Sequence, residues 1–179
     1  MEPKTTPHLD ELPTERYALD VGTNIEHDAS VDGFLPLAVP SRRPDVTISV
    51  CRGVIRLLAS MDHAAITEMT LANGRRADVV GVGPKGEITI VEVKSSVEDF
   101  RVDLKWPEYE PFCDAFYFAV GPGFPQEVLP IGPGLIVADA YGGAIIRRAP
   151  HSPLVPARRK ALTLQFARLA ANRSARLVG

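Results

Sequence analysis

Apolar residues recur at Val50, Val54, Leu57, Leu58 and Met61, the i, i+4, i+7, i+8 and i+11 spacing of one face of an α-helix. Thr47 or Ser49 is available as its cap, and Arg52 and Arg56 fall off the stripe, so the helix pairs a core face with a basic outer face. The period then shortens. Ile66 to Thr70 reads as a strand ending at Asn73-Gly74, Ala77 to Val82 as a second running into Gly83-Pro84-Lys85-Gly86, and Glu87 to Lys94 as a third, rich in β-favouring residues. The last two predict a hairpin. If Gly83 pairs with Glu87 around a three-residue loop, Val82 faces Ile88 and Asp78 faces Glu92.

Ser96-Val97-Glu98-Asp99 has the form of a capping box, and Phe100 and Leu104 sit one turn apart, so a helix opens there. Pro107 stops it or starts a second short helix reaching about Cys113. Ala115 to Val120 (AFYFAV) is a near-continuous apolar run, as expected of a strand covered on both faces. Leu135 to Ala138 and Ala144 to Arg147 flank the turn residues Tyr141-Gly142-Gly143, and Ala157 to about Asn172 closes the chain as a helix with Leu162, Phe166 and Leu169 on its apolar side. The order of elements predicts an α/β domain with a mixed sheet flanked by helices.

Composition refines this picture. The chain has 179 residues, 16 of them proline, with 45% apolar and a net charge of −2. That suits one domain over residues 45–179 preceded by an acidic, proline-containing lead-in, 1–44, expected to be largely disordered. The charge is unevenly placed: residues 1–32 carry −6, and the stretch after Asp139 carries no acid and +8. The basic end is either a solvated helix face or the footprint of a polyanion. No apolar run approaches the roughly 18 residues that span a bilayer. The opening MEPKTTPHLDELP lacks the form of a signal peptide, and Cys51 and Cys113 make neither a disulfide framework nor a zinc motif, so a cytoplasmic home is expected. Gly81-Val82-Gly83-Pro84-Lys85-Gly86 satisfies GxGxxG but leads into a strand, so it is a turn rather than a dinucleotide site.

The chemistry concentrates around the hairpin. Glu92 and Lys94 share a face, and the predicted register sets Asp78 opposite Glu92. Facing carboxylates repel, and burying them unpaired is costly. A hard divalent cation such as Mg²⁺, or Mn²⁺ in its place, resolves the conflict while leaving positions for water and phosphate oxygens. Lys94 would add positive charge near the scissile phosphate, and Glu68, on the preceding strand, is a candidate third acid. The plainer alternative is an intrastrand Glu92–Lys94 ion pair with Asp78 as a surface acid. Downstream, Arg101 and Lys105, together with Arg75, are candidate phosphate contacts; Trp106 and Tyr109 either offer a stacking face or anchor the core, the latter being preferred for Trp106.

GRRADVVGV followed by ITIVEVKSSVEDFRVDLKWPEYEPFCDAFYFAV resembles the MmcB family of bacterial DNA-repair proteins, grouped with the PD-(D/E)xK nucleases, over about Arg52 to Val120. Ala77 stands where the superfamily pattern has proline. The resemblance implies a restriction-endonuclease-like core and Mg²⁺-dependent DNA cleavage, with Asp78 and Glu92 as metal ligands and Lys94 as the catalytic lysine. The competing expectation is an inactive DNA-binding or adaptor module that retains the fold and recruits other repair proteins.

Overall fold

The computed structural model describes residues 43–178. The lead-in over 1–44 lies outside the described residues, save its last two, which already belong to the first helix. That helix, α1 (Arg43–Ser60), turns Val50, Val54 and Leu58 into the core as the periodicity predicts. It ends sooner than the stripe does: Met61 lies past the last turn and is partly exposed, and Asp62 takes a positive φ of 61° that reverses the chain.

Three strands follow, β1 (Ala64–Thr70), β2 (Arg76–Val82) and β3 (Ile88–Lys94), joined as antiparallel neighbours. The β2–β3 turn has the expected form. Gly83 N–H donates to the Glu87 carbonyl at 2.8 Å, and Gly86 supplies the left-handed residue with φ of 82°. After β3 comes α2 (Val97–Val102), capped by Ser96, whose Oγ accepts from Asp99 N–H at 3.2 Å. The box is not reciprocal: the Asp99 carboxylate accepts from Ser95 N–H at 3.1 Å and Ser95 Oγ at 3.2 Å. The helix is also shorter than its spacing suggests, closing before Leu104, which stays in solvent. Two 3₁₀ turns (Trp106–Glu108 and Glu110–Phe112), each opened by a proline, lead to β4 (Ala115–Val120).

β5 (Gly134–Ala138) and β6 (Gly143–Arg147) form the second hairpin, and α3 (Pro156–Val178) runs one and a half turns beyond the expected Asn172, because nothing up to Val178 breaks a helix. The sheet has order β1-β2-β3-β4-β5-β6, parallel at β3–β4 and β4–β5 and antiparallel elsewhere. α1 covers one face, packing on Val79, Val91, Val93, Ala119 and Ile136. Phe100, Trp106, Tyr109, Leu162 and Phe166 cover the other, over Ile88, Ile90, Phe116 and Phe118.

Two features lock this architecture. Gly53 brings α1 so close to the β5–β6 turn that a Cβ there would run into the carbonyl oxygens of Asp139 and Gly142. On the opposite face, the Asp114 carboxylate, 1% exposed, accepts from Ile88 N–H at 2.6 Å, Leu154 N–H at 2.9 Å, and two Arg159 nitrogens at 2.7 and 2.6 Å. Arg158 caps the Pro111 carbonyl at 2.8 Å and Arg173 the Thr67 carbonyl at 2.6 Å. Three of the eight basic residues after Asp139 are therefore occupied in holding α3 to the rest of the domain.

Candidate functional site

Strict alternation in β3 sends Ile88, Ile90, Glu92 and Lys94 to one face, and the parallel partner strand surrounds the last two with Phe118 and Val120. Both charged groups are consequently buried, Glu92 at 5% and Lys94 at 2% exposure. On the β2 side the ladder runs from Val82–Ile88 to Val79–Val91, and the next pair in that register is Asp78 opposite Glu92. Val93 N–H donates instead to Asp78 Oδ2 at 2.8 Å, so this carboxylate takes over a strand hydrogen bond at the point where the hairpin opens.

The opening has a cause in the neighbouring strand. Glu68 adopts a φ of 50°, unusual for a residue with a side chain, and the Glu68–Asp78 pair is missing from the β1–β2 ladder. The faces exchange there: Ile66 and Met69, three apart, line the same core, as do Ala77 and Val80. Strand alternation forbids that spacing, and its breakdown frees Asp78 to turn toward β3.

The electrostatics follow from burial. Glu92 is pushed up to about 8, first by desolvation and then by the charge of Asp78. Asp78 is raised as well, chiefly by burial, with the Val93 hydrogen bond acting the other way. Burial opposes the charge on Lys94, but the hydrogen bond to Asp103 and the surrounding carboxylates outweigh it and raise its pKa. Lys94 Nζ donates to Asp103 Oδ2 at 2.8 Å and to Glu92 Oε1 at 3.4 Å. The firm ion pair is thus Lys94–Asp103, and Asp103 is lowered despite its partial burial because Lys94 donates to it. Negative charge reaches both faces of the sheet: Cys51 on α1 is pushed up to about 11 by burial and then by Asp78, Glu68 and Glu92, and Tyr109 is raised by burial and then by Glu92 and Asp78.

Among the described residues one buried side-chain atom is left over. Glu92 Oε2 is buried and accepts no hydrogen bond, in an interior where such groups are almost always satisfied. Two neighbouring carboxylates, one with a bare oxygen, in a negative field, are the donors a hard divalent cation takes when water and phosphate complete its shell. Among the described residues no three His, Cys, Asp or Glu side chains form a group able to hold a metal, so the chain offers two donors rather than a closed cage.

The remaining sequence candidates are distributed differently. Glu68, expected as a third acid, is 61% exposed at its side chain and faces Arg76 Nη1 at 3.8 Å; its positive φ turns it away from the pair. Arg75, expected at phosphates, is bound to Glu108 by two hydrogen bonds of 2.8 and 2.9 Å. Arg101 and Lys105 are exposed on either side of Asp103. Trp106 belongs to the core as preferred, stacked on Phe116 at 5.8 Å and edge-on to Phe118, and Tyr109 is buried with its hydroxyl donating to the Arg76 carbonyl at 3.1 Å. Asp103 was visible only as one polar residue in a charged stretch; its role as the partner of Lys94 depends on where α2 stops.

The family model described as DNA repair protein MmcB-like matches residues 36–179. Among solved structures, the SPO1766 protein of unknown function from Silicibacter pomeroyi is 45% identical to this chain, with a TM-score of 0.72 over 74% of this chain and 90% of that one. No curated protein matches.

Proposed function

The chain belongs to the MmcB-like family of DNA repair proteins, and from that premise we propose that it is a metal-dependent endonuclease hydrolysing DNA phosphodiester bonds, with Asp78 and Glu92 as ligands of Mg²⁺ or Mn²⁺ and Lys94 as the catalytic lysine. The observation that carries the reading is the buried Glu92 Oε2, which has no hydrogen-bond partner beside Asp78 and Lys94. The cation, when bound, supplies Lewis-acid polarisation of the phosphate and acidifies a water molecule.

The protein's own groups prepare the site. Asp78 keeps one oxygen on Val93 N–H, which fixes the separation of β2 and β3 where the carboxylates meet. Lys94 is a compact positive charge whose direction is set by Asp103, and Asp103 is fixed in turn by its place at the end of α2 and by Lys105 N–H at 3.4 Å. The apolar walls from Phe118 and Val120 lower the local dielectric and strengthen each of these interactions.

A second reading, a non-cleaving DNA-binding or adaptor module, is favoured by one observation: Lys94 has a side chain only 3% exposed and already engaged by Asp103 and Glu92. A panel of duplex, single-stranded, branched and damaged DNA with Mg²⁺ or Mn²⁺ separates the two. The endonuclease reading expects cleavage by the wild type and its loss in folded Asp78→Ala and Glu92→Ala. Intact DNA across the whole panel, with DNA binding retained, establishes the module instead.

A further inference from the structure

The end of α2 places two aliphatic side chains in water beside the proposed site. Phe100 anchors the helix edge-on to Phe118, with ring centroids 5.6 Å apart, and Asp103 leaves it with its N–H on the Asp99 carbonyl and its carboxylate on Lys94. With Phe100 and Asp103 both directed inward, Val102 and Leu104 point out, 85% and 66% exposed. Single exposed apolar residues are ordinary on any protein surface. These differ in position and company. Each is one residue from the group that touches the Lys94 ammonium, and each is flanked by an exposed cation, Arg101 before Val102 and Lys105 after Leu104. Neither cation is drawn into an ion pair among the described residues, and Asp103 is neutralised by Lys94, so the rim presents two positive charges around an aliphatic tip.

An aliphatic tip between cations suits DNA better than it suits the apolar face of another protein, because the cations meet phosphates while the tip enters the base stack. We propose that Val102 and Leu104 form a wedge that inserts between bases next to the metal site, with Arg101 and Lys105 on the adjoining phosphates. The preferred substrate is then DNA whose stacking is already broken, at a mismatch, bulge or fork, where insertion displaces little. This inference rests on the reading of the site as one that meets DNA. The aromatic alternative, Trp106, is stacked on Phe116 and unavailable.

The test uses the full chain in EDTA, so that no DNA is cut. Anisotropy gives the affinity for a continuous duplex and for the same duplex with a central bulge, and 2-aminopurine beside the bulge reports unstacking. The wild type should prefer the bulged DNA roughly tenfold, the scale of one base-stacking contact, and brighten the probe on binding. Val102→Ser/Leu104→Ser, altering only exposed positions, should melt like the wild type, bind continuous duplex within about twofold, and lose both the preference and the signal. Leu104→Phe should enlarge both, and Arg101→Ala/Lys105→Ala should weaken both DNAs alike.

The wedge is overturned if the double serine variant discriminates and unstacks as the wild type does, or if the pair proves necessary only for binding another protein. Discrimination that depends on Val102 and Leu104 without any cleavage in Mg²⁺ leaves the wedge standing and removes the endonuclease. Cleavage with unchanged discrimination in the double variant does the reverse. Absence of DNA binding overturns both.

Discussion

Replacing Glu92 by glutamine preserves the shape of the side chain and removes its ionisation. In the wild type this carboxyl is raised from 4.5 to about 8, by burial first and by Asp78 second. An acid with a higher pKa in the folded than in the unfolded chain holds its proton more tightly when folded. Its stabilising contribution is therefore complete below the unfolded value and is lost as pH rises through the folded one, a window here of about pH 4.5 to 8. At about 1.4 kcal/mol per unit the ceiling is ~5 kcal/mol, and about 2–3 kcal/mol is expected once water entry and local relaxation ease the charged form. Urea unfolding followed by circular dichroism in EDTA, from about pH 5 to 9, measures it. The two proteins should coincide at the acid end, and Glu92→Gln should be the more stable by about 2–3 kcal/mol at the alkaline end. Added Mg²⁺ should reverse that order above pH 8, because binding to the folded ionised pair stabilises only the wild type. Curves that stay parallel throughout would show that Glu92 ionises at an ordinary pH when folded. The bare oxygen of Glu92 would then need no cation to accommodate it.

Asp114→Asn should destabilise the fold by about 1–3 kcal/mol in urea, since it sets an amide NH₂ among the N–H donors of Ile88, Leu154 and Arg159 at a buried position, and hydrogen exchange should show the first turns of α3 losing protection. Gly53→Ala should lower the melting temperature, because the new methyl group would run into the Asp139 and Gly142 carbonyl oxygens and α1 or the β5–β6 turn must shift to admit it; an unchanged melting point would mean that this shift is without cost. Asp103→Asn should cost about 1 kcal/mol, a modest figure because Asp103 is 35% exposed at its side chain, and should slow any Mg²⁺-dependent cleavage through kcat more than KM, with Asp103→Glu restoring part of it. Lys105→Ala should reduce the slope of log affinity against log salt by about one phosphate contact, read from anisotropy titrations.

Much of this arrangement was legible in one dimension because it depends on neighbours in the chain. The β2–β3 turn needs only Gly83 and Gly86 at the right spacing, and the turn sets the register that brings Asp78 opposite Glu92. The apolar AFYFAV run announced β4 because a strand covered on both faces has no polar alternation to obscure it. The misreadings share a different origin. Glu68 was expected to point with its strand, yet the positive φ at that residue and the gap in the ladder are tertiary events that propensity does not encode. Arg75 reads as a phosphate contact, and the basic end as a solvated face or polyanion footprint, because Glu108 and Asp114, the partners of Arg75 and Arg159, lie 33 and 45 residues away. The Phe100–Leu104 spacing predicts a helix reaching Leu104, but Asp103 bonds to Lys94 and the helix stops first.

Asp114 also determines how far the molecule can be trimmed. A fragment spanning only Arg52 to Val120 would contain Asp78, Glu92, Lys94 and Asp103, but it would strip the Asp114 carboxyl of its counter-ion and the apolar layer around it of the Leu162 and Phe166 cover. The stretch richest in recognisable signature is therefore not an autonomous unit. An expressible core has to extend past Arg159 and through Leu162 and Phe166, so that the terminal helix acts as a structural closure rather than a dispensable appendage.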